Sequence, residues 1–253
     1  MSGHSKWHNI QARKSSQDAK RGKVFTKITK EIIVAAKAGG SNLDTNTRLR
    51  GAVEKAKKTG MPLDNIKKAI MRGTGELPGV TYEEVTYEAY GPGGIAFILK
   101  ISTDNKNRTV SELRRILSKF NGSLAESGAV SWNFETKGEI EIESSDLKYD
   151  DLFMIAADAG AEDLEEQDGV FTVLTDPKAL ETVKNKLEEQ KIEIKNADVV
   201  LRSKTTVKVS GDDAVRTLKL CDALENHDDV QDYYTNYDID DDELKKILDE
   251  IGI

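Results

Sequence analysis

The chain is poor in the residues that support disulfide bonds, membrane insertion and nucleophilic or metal chemistry. Of its 253 residues only Cys221 is a cysteine, which excludes an internal disulfide and fits a reducing compartment. No apolar run approaches the roughly 18 residues of a membrane-spanning helix, and residues 1–6 lack the apolar core of a signal peptide. We therefore expect a cytoplasmic protein without a membrane partner.

Candidates for catalysis or metal binding are equally few. The sequence has three histidines, and none lies near a patterned nucleophile. Cys221 is in helical register with the apolar residues Ala214 and Leu218, which predicts a buried, inert thiol. His4 and His8 have the spacing of two metal ligands on a helix, but the third and fourth ligands are missing. We expect no enzyme activity, no cofactor and no metal site.

What the sequence does have is an uneven distribution of charge. Residues 1–78 contain 17 lysines and arginines against 6 aspartates and glutamates, a net charge of +11. Residues 79–253 contain 20 lysines and arginines against 39 aspartates and glutamates, a net charge of −19. The whole chain has a net charge of −8. A polyanion would be attracted to the first region and repelled by the second. The charge distribution therefore indicates a nucleic acid, DNA or RNA, as the partner of residues 1–78.

The N-terminal region shows the three- and four-residue spacing of amphipathic helices. The pattern predicts helices over residues 18–38, 46–58 and 63–71, followed by a linker rich in glycine over residues 73–79. Residues 1–15 lack a clear periodicity and are compatible with an ordered or a flexible arm.

Lysine and arginine dominate the outward positions of these helices. A merely solvated surface, which is the alternative interpretation, would intersperse glutamate with lysine. The one-signed excess favours contacts with phosphates, which carry no sequence information. The expected nucleic-acid-binding residues are Lys6, Trp7, Arg13, Lys14, Lys20, Arg21, Lys23, Lys27, Lys30, Lys67, Lys68, Arg72, Lys106 and Arg108.

Some of these residues have structural alternatives. Trp7 can stack on a base or complete the small helical core. Lys106 and Arg108 belong to a polar loop before a helix, where they can contact phosphate. The same loop offers Asn107 and Thr109 as caps of that helix.

The second and third predicted helices have the spacing of a helix-turn-helix motif. In that interpretation, the residues that project toward a DNA groove are Asn65, Lys67, Lys68 and Arg72. The alternative is an ordinary corner of a small helical bundle.

Beyond residue 80 the periodicity changes from helical to alternating. The predicted elements of residues 137–204 are strand 139–143, helix 149–159, strands 163–167 and 170–174, helix 177–190 and strand 197–201. This β-α-β-β-α-β order is the ferredoxin-like arrangement. The flanking regions form two halves of a second such unit. Its predicted elements are strands 83–90 and 94–102, helix 109–120 and strand 129–134, then strand 205–209, helix 212–226 and strand 230–237.

The expected fold class is therefore α+β, with a helical domain followed by two ferredoxin-like domains, one inserted into the other. The expected divisions are residues 1–78 for the basic helical domain, 79–136 plus 204–239 for a discontinuous second domain, 137–203 for the inserted third domain, and 240–253 for an acidic helical tail.

Aromatic residues on the predicted strands raise the question of RNA binding by the sheets. The Lys/Arg-Gly-Phe/Tyr pattern of RNA-recognition motifs is missing. We therefore expect Trp132, Phe134, Tyr233, Tyr234 and Tyr237 to belong to packed or inter-domain surfaces.

Six short strings resemble the YebC/PmpR family: residues 3–7 (GHSKW), 17–23 (QDAKRGK), 25–27 (FTK), 90–94 (YGPGG), 103–109 (TDNKNRT) and 128–132 (GAVSW). The resemblance spans essentially the whole chain. It implies three domains around a central cleft, the first helical and the others ferredoxin-like. The sequence departs from the family in an unusually acidic, longer tail after Ile239 and in Ser102, where a more apolar residue is usual.

The resemblance also implies a function. Bacterial members are commonly assigned as cytoplasmic DNA-binding transcriptional regulators. Mitochondrial relatives are translational activators of cytochrome c oxidase synthesis, and a ribosome-associated role in easing stalled synthesis is proposed for bacterial members too. We expect a nucleic-acid-binding regulator that acts as a monomer, with a translation factor on rRNA or tRNA as the alternative.

Overall fold

The computed structural model describes residues 17–143, 148–167 and 169–251, with side chains from residue 22 to residue 250 within these ranges. This part of the chain forms eight α-helices, two four-stranded antiparallel sheets and one short parallel pair of strands. The expected α+β class is therefore confirmed. None of the helices described has the length and apolar character needed to cross a membrane.

From residue 17, where the described chain begins, the N-terminal region contains three helices, as its periodicity predicts. They are α1 (Gln17–Gly39), α2 (Thr47–Lys58) and α3 (Leu63–Thr74). Their inward faces form one core, made of Ile28, Ile32, Ile33, Ala35, Ala36, Leu49, Ala52, Val53, Ala56, Met61, Ile66 and Ala69.

Two close contacts determine how these helices pack. The Asn46 side chain accepts a hydrogen bond from the Leu49 amide and donates one to the Ala35 carbonyl, so it caps α2 and joins it to the end of α1. In α3, a Cβ atom on Gly73 would stand 2.5 Å from the Ile33 carbonyl oxygen. Only glycine allows the two helices to approach this closely.

The first sheet has the strand order β3-β1-β2-β9. Its strands are β1 (Glu83–Tyr90), β2 (Ala96–Thr103), β3 (Ser123–Ala125) and β9 (Val230–Thr235). A short turn at Pro92–Gly94 joins β1 to its antiparallel neighbour β2.

Two helices, α4 (Lys106–Lys119) and α7 (Gly211–Glu225), pack on one face of this sheet. Every second residue of β2, namely Phe97, Leu99 and Ile101, points to this face, where it meets the apolar side chains that recur every three to four residues on the helices. The buried residues of this core include Phe97, Leu99, Leu113, Leu117, Leu218, Leu220, Cys221 and Tyr233.

The second sheet has the strand order β5-β6-β4-β7. Its elements are, in chain order, β4 (Phe134–Glu143), α5 (Tyr149–Ala159), β5 (Asp163–Gln167), β6 (Val170–Thr175), α6 (Leu180–Glu189) and β7 (Ile194–Ser203). The order of strands and helices agrees with that predicted for residues 137–204. The strands β5 and β6 are antiparallel neighbours and form a hairpin, and β4 lies between β6 and β7.

The strand predicted over residues 129–134 is wrong, and the third strand along the chain is β3 instead. The reason is a nonlocal hydrogen-bond acceptor. The buried Glu88 carboxylate accepts hydrogen bonds from the backbone amides of Gly128 at 2.7 Å, Val130 at 2.6 Å and Ser131 at 3.0 Å. These amides bind a side chain, so they cannot pair with a neighbouring strand.

The strand predicted over residues 205–209 does not join the first sheet. Instead β8 (Val207–Lys208) pairs in parallel with β10 (Tyr237–Asp238). Asn236 separates β10 from β9, because its side-chain oxygen accepts a hydrogen bond from the Ala96 amide at 2.8 Å. The predicted last strand is thus divided into two short ones.

The face of the first sheet away from its helices packs on the second sheet. Ala96, Ile98 and Tyr234 contact Phe134 there. The expectation that the strand aromatics are packed is confirmed for Phe134, Tyr233, Tyr234 and Tyr237, which are buried. It is wrong for Trp132, whose side chain is 68% exposed.

The acidic C-terminal region forms α8 (Asp241–Ile251), which packs on the core of the first sheet through Leu244, Ile247 and Leu248. Glu243 accepts a hydrogen bond from the Gly211 amide, which joins α8 to the start of α7. The acidic residues face solvent, and the helix is an integral part of the first sheet's core.

Replacing Leu244 with alanine should therefore lower the free energy of unfolding by about 2–4 kcal/mol, because it leaves a cavity in this core. Urea denaturation measures the change. Lys245→Ala, an exposed position one residue away, is the matched control and should be close to neutral. A Leu244→Ala protein as stable as the wild type would show that α8 does not belong to the core.

Candidate nucleic-acid interface

The structure positions some of the predicted contact residues and not others. Lys6, Trp7, Arg13 and Lys14 lie outside the described residues. Lys20 and Arg21 belong to α1, but their side chains are outside the described part. The remaining residues divide into cations that bind groups of the acidic part of the chain, residues 79–253, and cations that make no such contact.

Lys30 belongs to the first group, and its predicted position on the outward face of α1 is wrong. Its side chain is 7% exposed, and its ammonium lies 2.7 Å from the Asp229 carboxylate and 2.8 Å from the Asp228 carbonyl oxygen. The amphipathic pattern identifies Lys30 as polar and places it outside the helical core. It does not show that this side of α1 packs against the rest of the protein.

The Asp229 carboxylate joins the helical region to the first sheet. One oxygen accepts a hydrogen bond from Lys30, and the other accepts from Arg108 at 3.0 Å and from the hydroxyls of Thr109 at 2.7 Å and Thr103 at 3.0 Å. Burial alone would raise the pKa of Asp229, but the hydrogen bonds from Lys30, Thr109 and Arg108 outweigh it and lower that pKa.

Two further contacts follow the same boundary between α1 and the end of α7. The Lys27 ammonium lies 3.0 Å from the Glu225 carboxylate, and the Lys23 ammonium lies 2.9 Å from the side-chain oxygen of Asn226. Both predicted phosphate contacts thus have partners within the chain. The acidic region of residues 79–253, the acidic body, thus binds one side of α1.

Glu112, His227 and Asp229 bring possible metal ligands within 4.8 Å of one another. The Nδ1 atom of His227 accepts a hydrogen bond from the Asp229 amide, so Nε2 carries the proton and donates to Glu112 at 3.1 Å. Both Asp229 oxygens already bind cations. A metal would have to displace Lys30 or Arg108, so we assign no metal site here.

Lys106 and Arg108 lie in the first turn of α4 and not in the loop before it. Asn105 caps this helix, in place of the predicted Asn107 or Thr109, because its side chain accepts a hydrogen bond from the Arg108 amide. The two side chains also have acidic partners. Lys106 binds Glu83, and Arg108 binds Asp104 at 2.7 Å in addition to Asp229.

The cations of α2 and α3 are different. Five of them are exposed and make no ion pair among the residues with described side chains: Lys57, Lys58, Lys67, Lys68 and Arg72. Asp64 is the one acidic residue of α3, in its first turn. Asn65 is exposed on the same helix. The last turn of α2 and the outer side of α3 therefore present unneutralised positive charge to solvent, which is the property a phosphate-binding surface needs.

Cys221 is fully buried in the core of the first sheet, as predicted. Burial raises the pKa of its thiol to about 12, so the reactive thiolate does not form at neutral pH.

Two family models match the chain. One, described as "TACO1/YebC protein N-terminal domain", matches residues 5–76, and the other, "TACO1/YebC second and third domain", matches residues 82–237. The chain belongs to the TACO1/YebC family. This confirms the resemblance of the six short strings.

Individual members of the TACO1/YebC family are similar over their full length. A protein of Thermotoga petrophila is 53% identical over 252 residues, 99% of each chain, and one of Fervidobacterium nodosum is 54% identical over 249 residues, 98% of each chain. Both are named "Probable transcriptional regulatory protein". The crystal structure of a conserved hypothetical protein from Aquifex aeolicus has a TM-score of 0.81 and 43% identity, covering 88% of this chain and 93% of that one.

The contacts of Asp229 allow a test of how the helical region is attached. Replacing Asp229 with asparagine should lower the free energy of unfolding by about 3–5 kcal/mol at pH 7, because it leaves Lys30 buried without a counter-ion. Combining it with Lys30→Met should recover part of the loss. Urea denaturation of the two single variants and the double variant measures this coupling.

The difference in stability between the wild type and Asp229→Asn should also depend on pH. The pKa of Asp229 is lower in the folded protein than the value of about 4 of an unfolded chain, so its charge stabilises the fold above about pH 4. Below that pH the advantage decreases as the carboxylate becomes protonated. The difference in stability between wild type and Asp229→Asn should therefore be constant near neutrality and shrink in acid. A difference that does not change with pH would contradict this assignment.

Proposed function

We propose that the chain is a DNA-binding transcriptional regulator of the TACO1/YebC family. It binds its nucleic acid through the exposed cations of α2 and α3. The observation that carries this proposal is the contrast between two sets of cations. Lys27 and Lys30 of α1 pair with carboxylates of the acidic body, whereas Lys57, Lys58, Lys67, Lys68 and Arg72 make no ion pair among the described side chains. The name shared by the relatives, probable transcriptional regulatory protein, supports the same function.

The spacing of the α3 cations suits a phosphate backbone. Lys67 or Lys68 lies about one turn before Arg72, so the charged groups are separated by about 6–8 Å along the helix. Each cation that neutralises a phosphate releases counter-ions, which gives affinity without sequence information. Asn65, on the exposed side of α3, is the residue best suited to contact a base edge if α3 enters a major groove.

On α1 and α4, the residues that we propose as nucleic-acid contacts differ from those expected from the sequence. Lys30 is excluded because it is buried, and Lys23, Lys27, Lys106 and Arg108 are secondary because each has a partner within the chain. Residues N-terminal to the described side chains complete the set: Lys6, Trp7, Arg13, Lys14, Lys20 and Arg21.

We also propose the domain organisation expected from the sequence: residues 1–78, then 79–136 with 204–239, with 137–203 inserted, and 240–253 as an attached helix. Two observations support it. β3 and β9 share one sheet although the whole of the second sheet lies between them in the chain. The strand order β5-β6-β4-β7 also agrees with a ferredoxin-like unit.

The remaining parts of the proposal concern where and how the protein acts. A transcriptional regulator works in the cytoplasm of a bacterium, and we propose that this one does so as a monomer without catalytic activity. The buried, protonated Cys221 thiol supports the absence of nucleophilic catalysis at this residue.

A translation factor that binds rRNA or tRNA is the second candidate. The family descriptions pair YebC with TACO1 in a single family, and mitochondrial relatives in the resemblance are translational activators. Exposed lysines attract phosphates of either nucleic acid, because they recognise charge and not the sugar.

The α3 surface can be tested by replacing Lys67, Lys68 and Arg72 together with alanine. We expect weaker binding to a fluorescein-labelled DNA duplex, with the slope of log K against log salt reduced by about 3, since each lost phosphate contact contributes about 1. Fluorescence anisotropy measures the binding.

A variant with Lys148, Lys178 and Lys195 replaced by alanine is the matched control. It loses the same charge from exposed positions around the second sheet. If both triple variants lost the same amount of affinity for the duplex, that result would contradict a local contact surface on α3.

DNA and RNA targets are separated by two measurements on the wild-type protein. A regulator should protect a defined duplex site in footprinting at physiological salt. Co-sedimentation with ribosomes, without such protection, would favour the translation factor instead.

A further inference from the structure

Helix α4 is a basic element within the acidic part of the protein. Its 14 residues contain five cations, Lys106, Arg108, Arg114, Arg115 and Lys119, and one acid, Glu112. Residues 79–253 contain 20 cations in all, so a quarter of them lie on this one helix. In the same region acids outnumber cations by about two to one, which makes the composition of α4 a local reversal of charge.

The acidic partners near α4 neutralise only its first part. Lys106 and Arg108 bind carboxylates, as described above. Glu112 is held by the His227 ring at 3.1 Å. Arg114 and Arg115 are exposed and have no ion pair among the described side chains, and Lys119 contacts only the Phe120 ring, 5.3 Å from its centroid.

The exposed cations lie on the side of α4 opposite the core. Leu113 and Leu117 are buried against the first sheet, and the residues one and two positions after each of them face outward. Arg115 and Lys119 are four residues apart and lie on one line along the helix. An arginine offers several donors in a planar fork that matches the oxygens of a phosphate.

We propose that Arg114, Arg115 and Lys119 form a second phosphate-binding surface, which extends the nucleic-acid path of the helical region onto α4. The inference rests on the proposed function, because it assigns further contacts to the same nucleic acid. Its ligand is the phosphodiester backbone and not a base, since the exposed side chains are cationic and none on this part of α4 is aromatic.

Asp229 connects the helical region to α4, because its carboxylate binds Lys30 of α1 at 2.7 Å and Arg108 of α4 at 3.0 Å. The Lys30 ammonium also lies 5.2 Å from the centroid of the Tyr82 ring, just before the first sheet. The helical region and the first turn of α4 therefore meet at one carboxylate.

From that junction α4 continues the path. Arg115 and Lys119 lie about 10 Å and about 16 Å beyond Arg108 along the helix axis. The helix is about 20 Å long, the length of roughly six base pairs.

A solvated helix surface is the competing explanation. It accounts for Lys119, because a cation in the last turn interacts favourably with the helix dipole. It does not account for the adjacent Arg114 and Arg115, which lie before the last turn and make no ion pair among the described side chains. Glu112, the acid three residues before Arg115, binds His227 instead.

The test uses the full-length protein with Arg114, Arg115 and Lys119 replaced by alanine. Fluorescein-labelled DNA duplexes of mixed sequence, from about 10 to about 30 base pairs, are titrated between about 50 and 200 mM salt. We expect the salt slope to fall by about 2–3 and the affinity at low salt to fall at least about 10-fold. The affinity of each protein should increase with duplex length and then become constant. For the wild type, the length at which it becomes constant should be about six base pairs greater than for the variant.

The Lys148, Lys178 and Lys195 triple variant is again the control for net charge, and thermal unfolding confirms that both variants fold. The inference is wrong if the α4 variant has the same salt slope as the wild type and the same dependence of affinity on duplex length. Equal losses in the α4 variant and the control would overturn it as well, because they would show an effect of net charge alone.

The measurements also distinguish a failure of the second surface from a failure of the proposed function. If the α3 variant loses affinity while the α4 variant does not, only the second surface is wrong. If the wild-type protein binds no duplex and no RNA of the same length at low salt, the proposed function is wrong and the second surface with it.

Discussion

The ion pair between Lys30 and Asp229 is the interaction on which the arrangement of the protein depends. Both residues are buried, and a buried charge is costly unless an opposite charge and further hydrogen bonds surround it. Asp229 meets this condition only when α1, β2 and α4 are all in position, because each of them supplies one of its donors. The carboxylate therefore specifies a single way for the helical region to sit on the first sheet.

This interaction also changes the meaning of the charge asymmetry. A basic N-terminal region and an acidic body first suggest one part that binds a polyanion and another that avoids it. In the structure the acidic body also binds the basic region, and it uses Lys23, Lys27 and Lys30 to do so. The exposed cations on the last turn of α2, on α3 and on the later part of α4 make no ion pair with a carboxylate among the described side chains. Contacts within the chain and the proposed nucleic-acid contacts therefore use different lysines and arginines.

Local patterns predict what local interactions determine. The helices of the N-terminal region and the order of elements in the second sheet follow from periodicity and turn residues, and the α3 cations follow from their place on a helix. The errors have nonlocal causes. Lys30 finds its partner 199 residues away, and Glu88 binds amides about 40 residues further along the chain. Arg114, Arg115 and Lys119 are a different case, because the composition of one 14-residue helix was sufficient to identify them.

The strand order of the first sheet has a consequence for biosynthesis. β2 ends at Thr103, and its outer neighbour β9 begins at Val230, so one side of β2 has no partner until residues 104–229 have been synthesised. The second sheet, which is continuous in the chain, is complete before then. An open strand edge is prone to pair with other chains. The edge of β2 is therefore open to such pairing until β9 has been synthesised, and closure of the first sheet is a late step in folding.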